Sequence, residues 1–157
     1  MNLAIVNGPN LNLLGIREPG IYGAMTFDAY YQKLQEEYPQ INFSYYQTNV
    51  EGELINILQD VGFKADGILF NAAAYTHTSV GLGDCIKAIN APVIEIHISN
   101  TFSREDFRHK SYITPVAKGL ILGFGLDSYR LGVESFLNRK VAQSPNKEKE
   151  AKKRNSC

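Results

Sequence analysis

The stretch "LAIVNGPNLNLLGIREPGIYG", residues 3–23, joins a short apolar run to a long segment that has no helical or strand period. The run at residues 3–6 is typical of a buried β-strand. The segment at residues 7–23 is longer than most connections in compact domains, and such segments are usually either functional or disordered. Its apolar side chains disfavour disorder. We therefore expect a strand that leads into a glycine- and proline-rich loop carrying functional side chains.

The rest of the chain alternates strand-like runs with segments of helical period. Apolar or β-rich runs occur at residues 41–47, 67–71, 92–99 and 119–125. Apolar spacing predicts helices after Thr26, over residues 54–61, after Ser79 or Thr78, and over residues 127–139. Such alternation predicts an α/β fold with a parallel sheet covered by helices on both faces. Five strands suit a flavodoxin-like three-layer sandwich with the order 2-1-3-4-5.

Length and charge limit the classes of function. The chain has 157 residues, enough for one domain, which we place at residues 1–139. Residues 140–157 are polar and charged without apolar period, and we expect a disordered tail there. Acidic and basic residues balance at 16 each, so the overall charge predicts neither nucleic acid nor a membrane surface as a partner.

Three features of the sequence predict the cellular compartment of the protein. No apolar run approaches the roughly 20 residues that cross a bilayer. The first residues resemble no signal peptide, since they lack a basic flank and a long apolar stretch. The two cysteines, Cys85 and Cys157, lie far apart in the sequence. We therefore expect a reduced, cytoplasmic environment.

The run "VIEIHIS" alternates isoleucines with a polar row made of Glu95, His97 and Ser99. Central parallel strands are normally apolar on both faces, so a polar row is unusual there. One interpretation is an edge strand with one solvated face. The other is functional: Glu95 holds the imidazole of His97 in one tautomer and raises its basicity, as in a proton-transfer site. Ser99, at the strand end, would then meet a ligand.

Two further segments carry polar groups next to predicted strand ends. In "NAAAYTHTS", residues 71–79, a helix start with free N–H groups favours an anion, and His77 is placed to bind a polar ligand. The alternative is an ordinary surface histidine in a turn. In "SREDFRHKS", Arg104 and Arg108 stand one helical turn apart, a pattern that equally fits a solvated face.

Other familiar sites have weak support in this sequence. "GPNLNLLG" lacks the lysine of a phosphate-binding P-loop, and "GFGLDSY" is only a fragment of a dinucleotide-binding pattern. The histidines show no metal-ligand spacing, so we expect no metal site. A serine-hydrolase elbow is also lacking.

The loop places Arg17 five residues before Tyr22, with Pro19 and Gly20 between them. Any one of the nine tyrosines is more often a packing residue than a catalytic one. A free phenol has a pKa near 10, so a tyrosine base at neutral pH needs about 4 kcal/mol of phenolate stabilisation. One or two arginines in a water-poor site can supply that. The chain can fold the guanidinium of Arg17 back toward the phenol of Tyr22.

Six segments occur in the order seen in type II 3-dehydroquinate dehydratases, the type II dehydroquinases, over residues 1–137. They are "GPNLNLLGIREPGIYG", "QTNVEGEL", "NAAAYTHTS", "PVIEIHISN", "REDFRHKSY" and "GLILGFGLDSYRLG". The resemblance implies a flavodoxin-like subunit, a dodecamer built from trimers, and reversible dehydration of 3-dehydroquinate to 3-dehydroshikimate in aromatic biosynthesis. It implies a hydro-lyase without cofactor or metal, and a loop that is mobile when empty and closed over substrate.

The resemblance also implies a role for each matching side chain. Tyr22 matches the base, Arg17 the residue that promotes its ionisation, and Asn10 the group that steadies an enolate intermediate. His97 matches the acid that protonates the departing hydroxyl, with Glu95 as its orienting partner. Substrate-binding positions match Asn71, His77, Asp84, Ile98, Ser99 and Arg108, with Asp84 contributed across the trimer interface. The role of Arg104 as a direct ligand is left open.

Two positions depart from the family pattern. Ala72 stands where proline is usual, and Val50 where histidine is frequent. Neither bears the proton chemistry, so we expect altered loop rigidity or packing and retained activity. Two other functions remain open from the sequence: a nucleotide- or flavin-binding module of the same fold, and an inactive homologue kept as an assembly or regulatory protein.

Overall fold

A computed structural model describes residues 1–143 of the chain, and a five-stranded parallel sheet forms its centre. The strands lie in the order β2-β1-β3-β4-β5. Their bounds are β1 Asn2–Asn7, β2 Asn42–Gln47, β3 Gly67–Asn71, β4 Val93–His97 and β5 Gly119–Leu122. The predicted α/β class and strand order are confirmed. Parallel neighbours bring all carboxyl ends to one edge of the sheet, where ligands bind in such folds.

In the described part of the chain, five α-helices connect or cover the strands. They are α1 Pro19–Tyr22, α2 Phe27–Glu37, α3 Glu51–Val61, α4 Val80–Ala88 and α5 Asp127–Gln143. The predicted N-cap at Thr26 is confirmed, since its side chain accepts a hydrogen bond from the backbone N–H of Ala29 at 3.2 Å. Ser79, rather than Thr78, caps α4 by accepting from the N–H of Leu82 at 3.0 Å. Within residues 1–143, no helix is long and apolar enough to cross a membrane.

The alternation of side chains along β1 divides the core into two layers. Leu3 and Ile5 pack with residues of α2 and α5, whereas Ala4 and Val6 pack with residues of α3 and α4. All four side chains are at most 1 % exposed. This is the pattern of a central strand covered on both faces, and it explains why residues 3–6 are continuously apolar.

The polar row of β4 lies inside the sheet. β4 pairs with β3 on one side and with β5 on the other, so its interpretation as a solvated edge strand is wrong. Glu95 is 0 % exposed and His97 is 7 % exposed. Burial of a carboxylate and an imidazole in a central strand demands hydrogen-bond partners, because unpaired polar groups are costly there.

The segment at residues 7–23 contains more regular structure than its sequence predicts. A 3₁₀ turn spans Leu11–Leu13, and α1 starts at Pro19. Proline suits the first position of a helix because its φ is fixed and its missing N–H would have no partner there. A helix of four residues is too short to show an apolar period, which is why the pattern does not reveal it.

The ends of two other elements differ from the predicted bounds. β5 stops at Leu122 because Gly123 and Gly125 adopt positive φ values of 92° and 62°. Helix α5 continues to Gln143, four residues past the predicted domain end at residue 139. The remainder of the predicted tail, residues 144–157, lies outside the described part of the chain.

Candidate active site

A cavity of about 550 Å³ opens at the carboxyl ends of β1, β3 and β4. It collects side chains from the segment after β1, from the turn after β3, and from the end of β4 and the residues beyond it. Eleven polar or predicted site residues line it: Asn10, Arg17, Tyr22, Asn71, His77, His97, Ile98, Ser99, Thr101, Arg104 and Arg108. Residues far apart in the sequence therefore meet at the sheet edge that the strand order predicts.

His97 lines this cavity, and its buried partner Glu95 precedes it by two residues in β4. Nε2 of His97 is 3.0 Å from Oε1 of Glu95. A carboxylate can only accept, so Nε2 carries a hydrogen and Nδ1 is the ring nitrogen left for a ligand. Burial by itself would raise the pKa of Glu95, but the hydrogen bonds from His97, Thr114 and Ser111 outweigh burial and lower it below the usual range.

His77 is held as a neutral hydrogen-bond acceptor. Its Nδ1 lies 2.7 Å from the carbonyl oxygen of Lys110. Because a carbonyl only accepts, Nδ1 donates and Nε2 keeps its lone pair for a ligand. Burial lowers the pKa of His77 and so favours the uncharged ring. The rings of His77 and His97 lie nearly parallel, 16° apart, with centroids separated by 6.4 Å.

Two guanidinium groups surround the phenol of Tyr22. Nη1 of Arg104 donates to the Tyr22 hydroxyl at 2.8 Å and to Oγ of Ser99 at 3.1 Å. The guanidinium carbons of Arg17 and Arg104 lie 5.1 Å and 5.3 Å from the centre of the Tyr22 ring. Arg17 also pairs with Glu18, with Nε and Oε2 at 3.3 Å. Negative charge on the Tyr22 oxygen would therefore be met by nearby positive charge.

The direct contact between Arg104 and Tyr22 was not predicted from the sequence. The sequence predicts that Arg17 is the cation next to the Tyr22 oxygen, but Arg17 instead faces the Tyr22 ring. Arg104 directly follows a 3₁₀ turn at Thr101–Ser103, Arg108 lies in a second one at Asp106–His109, and both are half-buried at the cavity. Since 82 residues separate Arg104 from Tyr22, only the shared sheet edge could have indicated the contact.

Asn71 is fixed by a network that reaches helix α5. Its Nδ2 donates to the Tyr129 hydroxyl at 2.9 Å, and that hydroxyl donates to Oδ1 of Asn7 at 2.7 Å. Oδ1 of Asn71 accepts from the N–H of Ala73 at 3.1 Å. Tyr129 and Asn7 are fully buried. In the sequence, Tyr129 is one of the apolar residues of the helix predicted over residues 127–139. That pattern gives no sign that its hydroxyl holds Asn71.

The remaining predicted residues differ in where they lie. Asn10 lines the cavity in a left-handed conformation, with φ of 68°, and its N–H donates to Oδ1 of Asn49 at 3.0 Å. Asp84 is exposed on α4 and is not among the residues that line this cavity. Ala72 is fully buried and Val50 is exposed; neither lines the cavity either.

Metal ligation has no support in the described residues. Across residues 1–143, no group of three or more His, Cys, Asp or Glu side chains could hold a metal ion. What the cavity does bring together is a phenol between two cations, an imidazole on a buried carboxylate, and further donors and acceptors. This set can accept a proton at one place and deliver one at another.

Comparison with known proteins agrees with the resemblance seen in the sequence. A curated 3-dehydroquinate dehydratase from Trichodesmium erythraeum is 50 % identical over 139 residues, which cover 87 % of this chain and 93 % of that relative. A 3-dehydroquinate dehydratase from Acaryochloris marina is 46 % identical over 145 residues, covering 91 % and 97 %.

Among solved structures, the type II dehydroquinase from Butyrivibrio crossotus superposes with a TM-score of 0.84 at 39 % identity. The match covers 87 % of this chain and 97 % of that one. The family model described as "Dehydroquinase class II" matches residues 1–137, a range that includes every candidate site residue. The fold, the cavity and these matches agree, and the chain belongs to the class II dehydroquinase family.

Proposed function

We propose that this chain is a hydro-lyase that converts 3-dehydroquinate reversibly to 3-dehydroshikimate, a step of the shikimate pathway toward chorismate and aromatic amino acids. Family membership and the names of the relatives support the reaction. The observation that carries the assignment of roles is the hydrogen bond from Arg104 to the Tyr22 hydroxyl, in the same cavity as His97, which is paired with Glu95.

The first step is removal of a proton from the carbon beside the ketone, with Tyr22 as the base. Such a proton is too weakly acidic to leave unless the growing oxyanion is stabilised. Arg104 donates to the Tyr22 oxygen, and Arg17 lies over the ring, so two cations lie beside the oxygen that accepts the proton. Asn10, on the cavity wall, steadies the enolate that results.

The second step is loss of hydroxide from the enolate, with His97 as the acid. Nε2 of His97 is occupied by Glu95, so Nδ1 delivers the proton and water leaves. The Glu95 carboxylate orients the imidazole and lies next to the positive charge that an imidazolium donor carries. Base, oxyanion partner and acid are all side chains of this cavity, and the scheme requires neither cofactor nor metal.

The other lining residues hold the substrate. Arg108 and the backbone around Ile98 and Ser99 offer donors for a carboxylate. His77 accepts from a hydroxyl through Nε2, and Asn71 offers the second hydrogen of an amide that Tyr129 already orients.

Assembly completes the proposal. From the family resemblance, we place Asp84 at the substrate site of a neighbouring subunit, and its exposure on α4 away from its own cavity is compatible with that position. The same resemblance favours a dodecamer built from trimers, which we expect in the cytoplasm. Closure of residues 7–23 over bound substrate would exclude water from the cavity.

A dehydration assay tests the proposal. Protein treated with EDTA is mixed with 3-dehydroquinate, and the ultraviolet absorbance of the conjugated enone is followed. We expect Tyr22→Phe to lower kcat by about 10²–10⁴, the usual contribution of a general base, while KM changes little. Tyr31→Phe, a change on α2 within the aromatic cluster, is the matched control and keeps the rate.

Two outcomes would overturn these assignments. Wild-type turnover by Tyr22→Phe would remove Tyr22 as the base. Complete lack of enone formation by the wild-type protein would remove the reaction itself, and retained flavin colour would then favour a flavin-binding module.

A further inference from the structure

We propose that Ser111 and Thr114 are positioning residues for the proton donor, because their hydroxyl groups hold the Glu95 carboxylate in line with His97. The inference rests on the proposed function only in naming His97 as the acid. The contacts themselves do not depend on which substrate binds.

The Glu95 carboxylate receives three donors. Oε1 accepts from Nε2 of His97 at 3.0 Å and from Oγ of Ser111 at 2.7 Å, and Oε2 accepts from Oγ1 of Thr114. Glu95 is 0 % exposed in the centre of the sheet. A buried carboxylate without such partners would be strongly disfavoured as an anion.

Ser111 has only one way to use its hydrogen. Its oxygen accepts from the N–H of Ile113 and from the N–H of Thr114, both at 3.0 Å. With both lone pairs occupied, the hydroxyl can act toward Glu95 only as a donor. A hydrogen added at Oε1 would point at the donors from Ser111 and His97, so the arrangement favours the anion at that oxygen.

The same turn therefore supplies both hydroxyls and fixes their direction. Its backbone N–H groups bind Ser111, and this places Thr114 three residues later beside the other carboxylate oxygen. The lowered pKa of Glu95 agrees with this arrangement, since the hydrogen bonds overcome burial. An anion that cannot rotate fixes the plane of the His97 ring and the direction of Nδ1.

Other titratable or charged side chains share a cavity with this carboxylate. A second cavity, about 500 Å³ in volume, lies on the β5 side and is lined by Glu95, His97 and Thr114 together with His77, Arg108 and His109. The titration of Glu95 therefore also depends on the charges of His77, Arg108 and His109. The variants used in the test leave these three residues unchanged.

The test uses the full-length protein and the variant Thr114→Val, which keeps the shape of the side chain and removes the hydroxyl. The first measurement is the titration of the Glu95 carboxyl carbon by NMR, assigned with Glu95→Gln. We expect the pKa of Glu95 to rise toward its usual range, because one donor to the anion is lost. The second measurement is kcat, which we expect to fall about tenfold with KM within about twofold.

Rescue and control variants separate positioning from general damage. Thr114→Ser restores the hydroxyl and should restore both readings. Ser135→Ala removes a hydroxyl that bonds the carbonyl of Gly132 on α5, far from Glu95, and should change neither. If Thr114→Val does not fold, Ser111→Ala provides the same comparison.

The outcomes distinguish this inference from the proposed function. An unchanged Glu95 titration in a folded Thr114→Val, or a rise in KM with unchanged kcat, would overturn the positioning role. The carboxyl titration needs no turnover, so it would still decide the inference if the protein failed to dehydrate 3-dehydroquinate.

Discussion

The side-chain amide of Asn71 shows, at the scale of single residues, how the site depends on a distant part of the chain. Tyr129 is fully buried and bridges Asn71 and Asn7 through one hydroxyl. Tyr129→Phe would leave two buried amide groups without this partner. We expect it to lower the free energy of unfolding by about 1–3 kcal/mol and to raise KM several-fold, measured by urea unfolding and steady-state kinetics.

Tyr38→Phe is the matched control for this prediction. The Tyr38 hydroxyl donates to Oε1 of Glu134 at 2.6 Å, in a partly buried contact outside the cavity. Glu134 can turn to water when the hydroxyl is lost, so the stability cost should be smaller and KM unchanged. An equal KM for Tyr129→Phe and wild type would show that Asn71 needs no support from α5.

Individual contacts could be predicted from the sequence where chemistry and chain position agreed. The polar row of Glu95 and His97 stood out because it interrupts a central strand, and their contact follows from their spacing along β4. The contact of Arg104 with Tyr22, and that of Ser111 with Glu95, could not be predicted. Each involves a loop residue, Arg104 or Ser111, whose direction depends on turns that leave no periodic signal.

At the scale of elements, the spacing of apolar residues predicted well the strands and the longer helices that lie between the turns. β3 and the cap of α4 occur at their predicted positions because each has a local signal, a buried run or a serine before a helix. Helix α1 escaped prediction because four residues cannot show a period. The end of β5 is set by the left-handed glycines that follow it.

The turns after β1 and β3 are packed too closely to admit a side chain at Gly8. A Cβ at this position would lie 2.6 Å from the carbonyl oxygen of Ala72, and the N–H of Gly8 donates to Asn71 O at 2.7 Å. Gly8→Ala must therefore push these turns apart. We expect a loss of about 1–3 kcal/mol in the free energy of unfolding and at least about a tenfold loss of kcat/KM, measured by denaturant unfolding and the enone assay.

Gly52, at an exposed position of helix α3, has room for a side chain, and Gly52→Ala is therefore the control for Gly8→Ala. No atom lies within 4 Å of a Cβ added there, and the residue is inside α3. Alanine should stabilise the protein by about 0.5–1 kcal/mol and leave kcat/KM unchanged. If Gly8→Ala behaved in the same way, close contact between the two turns would not be required for activity.

At the scale of the whole molecule, the proposed assembly makes Asp84 part of a neighbour's site. Co-assembling Asp84→Ala with Tyr22→Phe subunits tests this. A cavity that keeps Tyr22 in one subunit and receives Asp84 from the other is complete, so mixed assemblies should recover activity above the sum of the two variants. The measurement is the enone rate after co-refolding, with sedimentation to establish subunit exchange.

A rate equal to the sum would contradict a shared site, provided that exchange has occurred. Tyr31→Phe mixed with Asp84→Ala serves as the control, because Tyr31 lies outside the cavity and its subunits keep their own base. In that mixture we expect wild-type activity from each cavity that receives Asp84 from a Tyr31→Phe subunit, and from no other cavity.

The most direct test of the central claim separates proton removal from loss of water. In deuterated solvent, NMR follows exchange at the carbon beside the ketone of 3-dehydroquinate, with the rate without protein subtracted. His97→Asn should lose dehydration yet continue to exchange, because Tyr22 still forms the enolate, whereas Tyr22→Phe should lose both. Exchange at the wild-type rate by Tyr22→Phe would contradict Tyr22 as the base.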